Sequence, residues 1–251
     1  MKINVLSSCA SVAALSLTAF AAADVIPELA TYAGGYIVDA RTGLTTDDKG
    51  GSVNKAASIV YDNTSSSTSL AFSTTDLTMT WGDECTLSGT GILDSFKFSV
   101  FNSSSSAGTL TGATFRLTFT RLSDSAVLGS YDGSVTFTTA LGKGFYSVIT
   151  STGLASNNIN LSTTGPILVT QQVIAKTGSA SRLGVVSLNP VTVGSSPNYF
   201  YESGATTTPG WYTSASGPVN LVYQIGVNAV PAPGAAALVG LAGIITGRRR
   251  R

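Results

Sequence analysis

The side chains in this sequence that could carry chemistry fall into three small groups. Tyr199, Phe200, Tyr201, Trp211 and Tyr212 form its densest aromatic stretch, set among Ser, Thr, Gly and Pro. Exposed rings of this kind stack on sugar faces, so Tyr199, Tyr201, Trp211 and Tyr212 are candidate glycan contacts; the plainer alternative is that they cap the end of a β-fold. Asp47-Asp48, before Gly50-Gly51, and Asp83-Glu84, after Trp81-Gly82, offer oxygen ligands for calcium, which takes six to eight. Neither pair has the spacing of a known calcium loop, and both read equally as solvated turn acids. Thirteen acids also allow many carboxylate pairs of the kind a glycoside hydrolase needs, with no means of choosing among them.

Other chemistry is excluded by composition. The chain has no histidine, which removes Ser-His-Asp and Cys-His catalysis and imidazole metal sites. No cofactor or metal motif is present. Cys9 lies in the N-terminal segment, so Cys85 is the single cysteine of the body, expected buried and without an intramolecular disulfide. Of 14 Lys and Arg, five (Lys2 and Arg248 to Arg251) lie in the terminal segments, while all 13 Asp and Glu lie from Asp24 onward. The body thus carries nine cations against 13 acids, a net charge near −4. Nucleic acid is not an expected partner of such a surface.

The elements that would position these groups are short strands. Thr78 and Thr80 alternate with Leu77, Met79 and Trp81; Phe115, Leu117 and Phe119 alternate with Arg116, Thr118 and Thr120; Leu221, Tyr223, Ile225 and Val227 share one face. This period of two marks half-buried strands. Arg41 to Lys55, rich in Gly, Thr and Asp, predicts a loop, and Asp132-Gly133 predicts a hairpin turn. No helix of ten residues or more is predicted between Asp24 and Asn228. Roughly a dozen strands at short spacing predict an all-β body over 24–228, a β-sandwich of jelly-roll-like type. Asn63-Thr64-Ser65, Asn102-Ser103-Ser104 and Asn160-Leu161-Ser162 match the glycosylation sequon.

The two ends speak of destination. Lys2, then the apolar Val12 to Ala23, then Ala21-Ala22-Ala23 before Asp24 read as a secretory signal peptide over 1–23, cleaved at the Ala21/Ala23 site. At the other end stand Val230-Pro231-Ala232-Pro233, an uncharged run from Gly234 to Gly247, and Arg248-Arg249-Arg250-Arg251. As a helix, those 14 apolar residues would rise about 21 Å, short of the roughly 30 Å hydrocarbon core. Counting from Val230 and letting the arginine stems snorkel gives a short transmembrane helix, with the arginines as a basic stop on the cytoplasmic side.

Motif, apolar helix and basic cluster together, over 229–251, resemble the PEP-CTERM sorting tail of exported bacterial proteins. Here Pro231-Ala232-Pro233 stands where that family has Pro-Glu-Pro. The resemblance implies an exosortase-type membrane enzyme as processing partner and a setting at the cell surface or in an extracellular polysaccharide matrix. The expectation is therefore a non-enzymatic exported protein, held in the membrane or released to the surface after C-terminal processing. The alternatives are a carbohydrate-binding or adhesive module and a polysaccharide hydrolase using two acids.

Overall fold

The computed structural model describes residues 30–49, 57–65, 68–76, 78–104, 106–162, 165–205, 207–213 and 219–228. The expected signal peptide, its Ala21/Ala23 cleavage site, the Val230–Pro233 motif, the apolar run and the four arginines lie outside the described residues. Among the described residues no helix is long and apolar enough to cross a membrane.

The protein is all-β. Its strands are β1 (Thr31–Asp39), β2 (Thr45–Asp48), β3 (Ser58–Asp62), β4 (Thr68–Thr74), β5 (Thr80–Cys85), β6 (Ile92–Asn102), β7 (Leu110–Arg121), β8 (Ala126–Leu141), β9 (Phe145–Thr152), β10 (Ile167–Gly178), β11 (Leu183–Asn189), β12 (Phe200–Ser203), β13 (Gly210–Tyr212), β14 (Asn220–Leu221) and β15 (Gln224–Asn228). A single 3-10 turn, Leu154–Asn157, is the one helical element among the described residues. Sheet 1 has nine strands, in the order β14-β11-β6-β9-β1-β2, with β4 paired to β11 and β15 bridging β3 and β6. Sheet 2 has six strands, in the order β13-β12-β5-β10-β7-β8. Among the described residues all ladders are antiparallel except β1 on β9.

Alternation explains how the sheets meet. Phe96 and Phe98 of β6 face sheet 2, where Phe96 meets Phe119 edge-on with ring centroids 5.5 Å apart and Phe98 meets Phe115 at 4.6 Å. Phe72 of β4 reaches Phe200 of β12 at 4.9 Å. These residues belong to one buried cluster drawn from both sheets. Interleaved rings of this kind are what two sheets packed face to face require. On the outer face of sheet 1 a smaller buried cluster joins Ala71, Phe101, Val186, Leu188 and Val222.

Several sequence expectations are corrected. Part of the expected Arg41–Lys55 loop is strand β2, which pairs with β1 from Gly35↔Asp48 to Val38↔Thr45. Asp132-Gly133 is not a turn: β8 runs straight through it for 16 residues, with Asp132 opposite Arg116 and Gly133 opposite Phe115. The tertiary reason is local, because a Cβ on Gly133 would lie 2.8 Å from the Phe115 ring and 2.6 Å from the Tyr131 hydroxyl. The glycine admits two core rings instead of reversing the chain. Asp83-Glu84 is also not a turn but the second half of β5. The expected closing strand 220–227 divides into β14 and β15, although Leu221, Tyr223, Ile225 and Val227 all remain in the core.

Candidate binding face

The aromatic group sits on the β12–β13 hairpin at the edge of sheet 2. Its register pairs Phe200 with Tyr212 and Tyr201 with Trp211. Directly opposed residues in an antiparallel pair share a face, so the register divides the candidates. Phe200 is buried, and Tyr212 packs on it from the core side with ring centroids 6.2 Å apart. The Tyr212 hydroxyl donates to the Thr208 carbonyl at 2.8 Å. Tyr212 is therefore taken up by the fold.

Tyr199, Tyr201 and Trp211 gather on the outer face, all half-buried. Trp211 meets Tyr199 at 4.9 Å and 71°, and Tyr201 at 5.5 Å and 69°. Two edge-on contacts make the three rings a bracket and not a coplanar platform. The Tyr199 hydroxyl donates to Glu84 Oε2 at 2.7 Å, which fixes one arm of the bracket to β5. Partial burial and the acceptor carboxylate push the Tyr199 phenol up to about 12, so it stays a neutral donor at ordinary pH.

The ladders continue this face inward. Tyr201 lies beside Gly82 of β5, Gly82 beside Thr170 of β10, Thr170 beside Thr118 of β7, and Thr118 beside Ser130 of β8. A Cβ on Gly82 would lie 2.8 Å from Thr170 Cγ2 and 3.0 Å from Leu168 Cδ1, so both side chains lean over the glycine next to the bracket. One row further along, Arg116 donates in bidentate fashion to Asp132, Nε to Oδ1 at 2.8 Å and Nη2 to Oδ2 at 2.7 Å. This pairing holds the Asp132 carboxyl below its ordinary range. Sequence reasoning missed Gly82, Thr170, Thr118 and Ser130. Only strand order joins them to the aromatics, and none carries a motif.

The other candidates are placed elsewhere. Asp83 and Glu84 are consecutive on a strand and point to opposite faces, Glu84 outward to Tyr199 and Asp83 into the core, so they do not converge on one cation. Asp83 is fully buried and accepts from Ser196 Oγ and from the Leu221 amide, both at 2.8 Å. Burial outweighs these bonds and raises its carboxyl well above the ordinary range. Asp47, on the surface, accepts from the Thr138 hydroxyl at 2.6 Å. Among the described residues no three His, Cys, Asp or Glu side chains cluster to hold a metal. Glu202 points into the core beside Trp81, and burial pushes its carboxyl up to about 7. Cys85 is buried and free.

Two of the three sequon asparagines are internal fasteners. Asn63 Nδ2 donates to the carbonyls of Leu188, Asn220 and Leu221, and Asn102 Nδ2 to those of Gly108 and Leu141, with both residues fully buried. Asn160 is exposed and caps a turn by accepting from the Ser162 amide.

No family model, curated protein or solved structure matches the chain.

Proposed function

We propose that the protein is a non-enzymatic, exported β-sandwich module, directed to the cell surface or extracellular matrix by its PEP-CTERM-like tail. The signal segment 1–23 would lead the chain out. The apolar run up to Thr246 would hold it in the membrane, with Arg248 to Arg251 inside, and an exosortase-type enzyme would act near Val230 to Pro233. The observation that carries this reading is how close the last described ladder lies to the sorting motif. The last strand, β15, ends at Asn228, whose Nδ2 donates to Asp94 Oδ1 at 3.1 Å, two residues before Val230. A processing enzyme could cut at Val230 to Pro233 without disturbing any of the described ladders. The all-antiparallel sheet 2 supports a jelly-roll-like scaffold, and the parallel β1–β9 ladder is its departure from that plan.

The test is intact mass of the protein recovered from its host, fraction by fraction. A species lacking 1–23 and the residues after about Pro233 is expected outside the inner membrane. A species retaining all four arginines in every fraction would make the tail a permanent anchor and end the processing proposal.

A second reading, a carbohydrate-binding or adhesive module, is favoured by one observation: Tyr199, Tyr201 and Trp211 converge on the outer face of sheet 2.

A further inference from the structure

We propose that the outer face of sheet 2 binds a neutral polysaccharide chain laid across the strands, along the row Trp211, Tyr201, Gly82, Thr170, Thr118, Ser130. This inference rests on the carbohydrate-module reading and adds the ligand class and the direction of the chain.

The row is continuous because each member is the ladder partner of the next. At about 4.8 Å per strand, six strands span roughly 24 Å, the length of several sugar rings. One end of the row is aromatic, giving apolar surface for a sugar face. The other end is three hydroxyls, each able to donate and accept, as sugar hydroxyls require. Between them lies Gly82, which is buried under the Thr170 and Leu168 side chains, so the path from bracket to hydroxyls runs over those two residues.

Charge selects the ligand. No member of the row carries a carboxylate, an ammonium or a guanidinium group. The charged groups beside it are already engaged, Arg116 by both carboxylate oxygens of Asp132 and Glu84 by the Tyr199 hydroxyl. An acidic polysaccharide would find no unpaired cation in the row and would meet Glu84 next to the bracket. An uncharged one meets no charge repulsion there. Tyr199 then acts as a positioning residue, holding Trp211 at its angle.

The full-length protein in mild detergent is run in native gels containing hydroxyethylcellulose, barley β-glucan or alginate. Retardation by at least one neutral polymer is expected, weakened roughly ten-fold by Trp211→Ala, as for an aromatic anchor, and similarly by Thr118→Glu. Ser123→Glu, which adds the same charge in the exposed β7–β8 turn, should bind like the parent. Ser130→Glu, at an exposed position, replaces Thr118→Glu should the latter fail to fold. Neutral-polymer binding unchanged in Trp211→Ala and the Glu variants would overturn the row while leaving the module reading standing. Retardation by alginate alone would overturn the ligand class. No retardation by any of the three polymers would remove the module reading itself.

Discussion

The Leu221 amide of sheet 1 donates to Asp83 Oδ2 of sheet 2 at 2.8 Å, across the buried interior. With Gln171 Nε2 donating to the Ser99 carbonyl at 2.9 Å, it is one of the polar ties that fix how the sheets face each other. Both lie where an unmade bond would be costly.

Asp83→Val should therefore destabilise the protein. It strands the Leu221 amide, at about 1–3 kcal/mol for a buried donor left unpaired, while the part-buried Ser196 hydroxyl keeps the Pro197 carbonyl as acceptor at 3.1 Å. Asp83→Asn keeps an acceptor oxygen and should cost less. Urea unfolding of the two variants checks the order, and equal stabilities would show that the tie contributes nothing.

Stability should fall as pH rises from about 4.5 to about 7. Glu202 has its folded carboxyl pushed up to about 7, above the ordinary 4.5, so in that window the folded state keeps a proton that the unfolded state has lost. The contribution is fully present below about 4.5 and is lost by about 7, at up to about 1.4 kcal/mol per pH unit. Buried Asp83 shifts in the same direction and adds to the slope. Glu202→Gln should flatten the profile of urea midpoints; a slope unchanged in that variant would assign it to other groups.

The two tryptophans should separate core from surface. Trp81 is 5% exposed and stacks on Phe200 at 6.1 Å, so Trp81→Ala should cost about 3–5 kcal/mol. Trp211 is half-buried on the outer face, and Trp211→Ala should cost under about 1.5 kcal/mol. Thermal melts of both decide it, and comparable losses would make Trp211 a structural cap.

Gly133→Ala should destabilise by about 1–3 kcal/mol, because the new methyl meets the Phe115 and Tyr131 rings. If melting is unchanged, those rings have room to retreat.

Cys85 should resist alkylation in the folded protein and react fully in urea. Burial raises its thiol well above the ordinary range, and the thiolate is the reactive form. Peptide-level mass spectrometry distinguishes Cys85 from Cys9.

Much of the fold was legible from alternation alone. Phe115, Leu117 and Phe119, or Leu221, Tyr223, Ile225 and Val227, turn the same face to the core in the structure as in the pattern. Alternation fails where one residue type serves two ends. Asp-Gly is a good turn and also a good place for two rings to close on a strand, and only Phe115 across the ladder decides which. Asp83 had the look of a solvated acid because nothing local announces that Ser196 and Leu221 are waiting in the core.

The candidate site shows the same division. The aromatic density around Tyr199 to Tyr212 was plain in the chain, but the hairpin register took Tyr212 out and left three rings together. Thr170, Thr118 and Ser130 joined them only through strand order. All-β class, charge and the lack of histidine could be read from the chain alone, because they depend on composition and on neighbours in the chain. Tertiary structure decided which polar groups are buried, which glycines are close approaches and which side chains share a face. Each of these depends on contacts between residues far apart in the chain, 138 positions for Asp83 and Leu221.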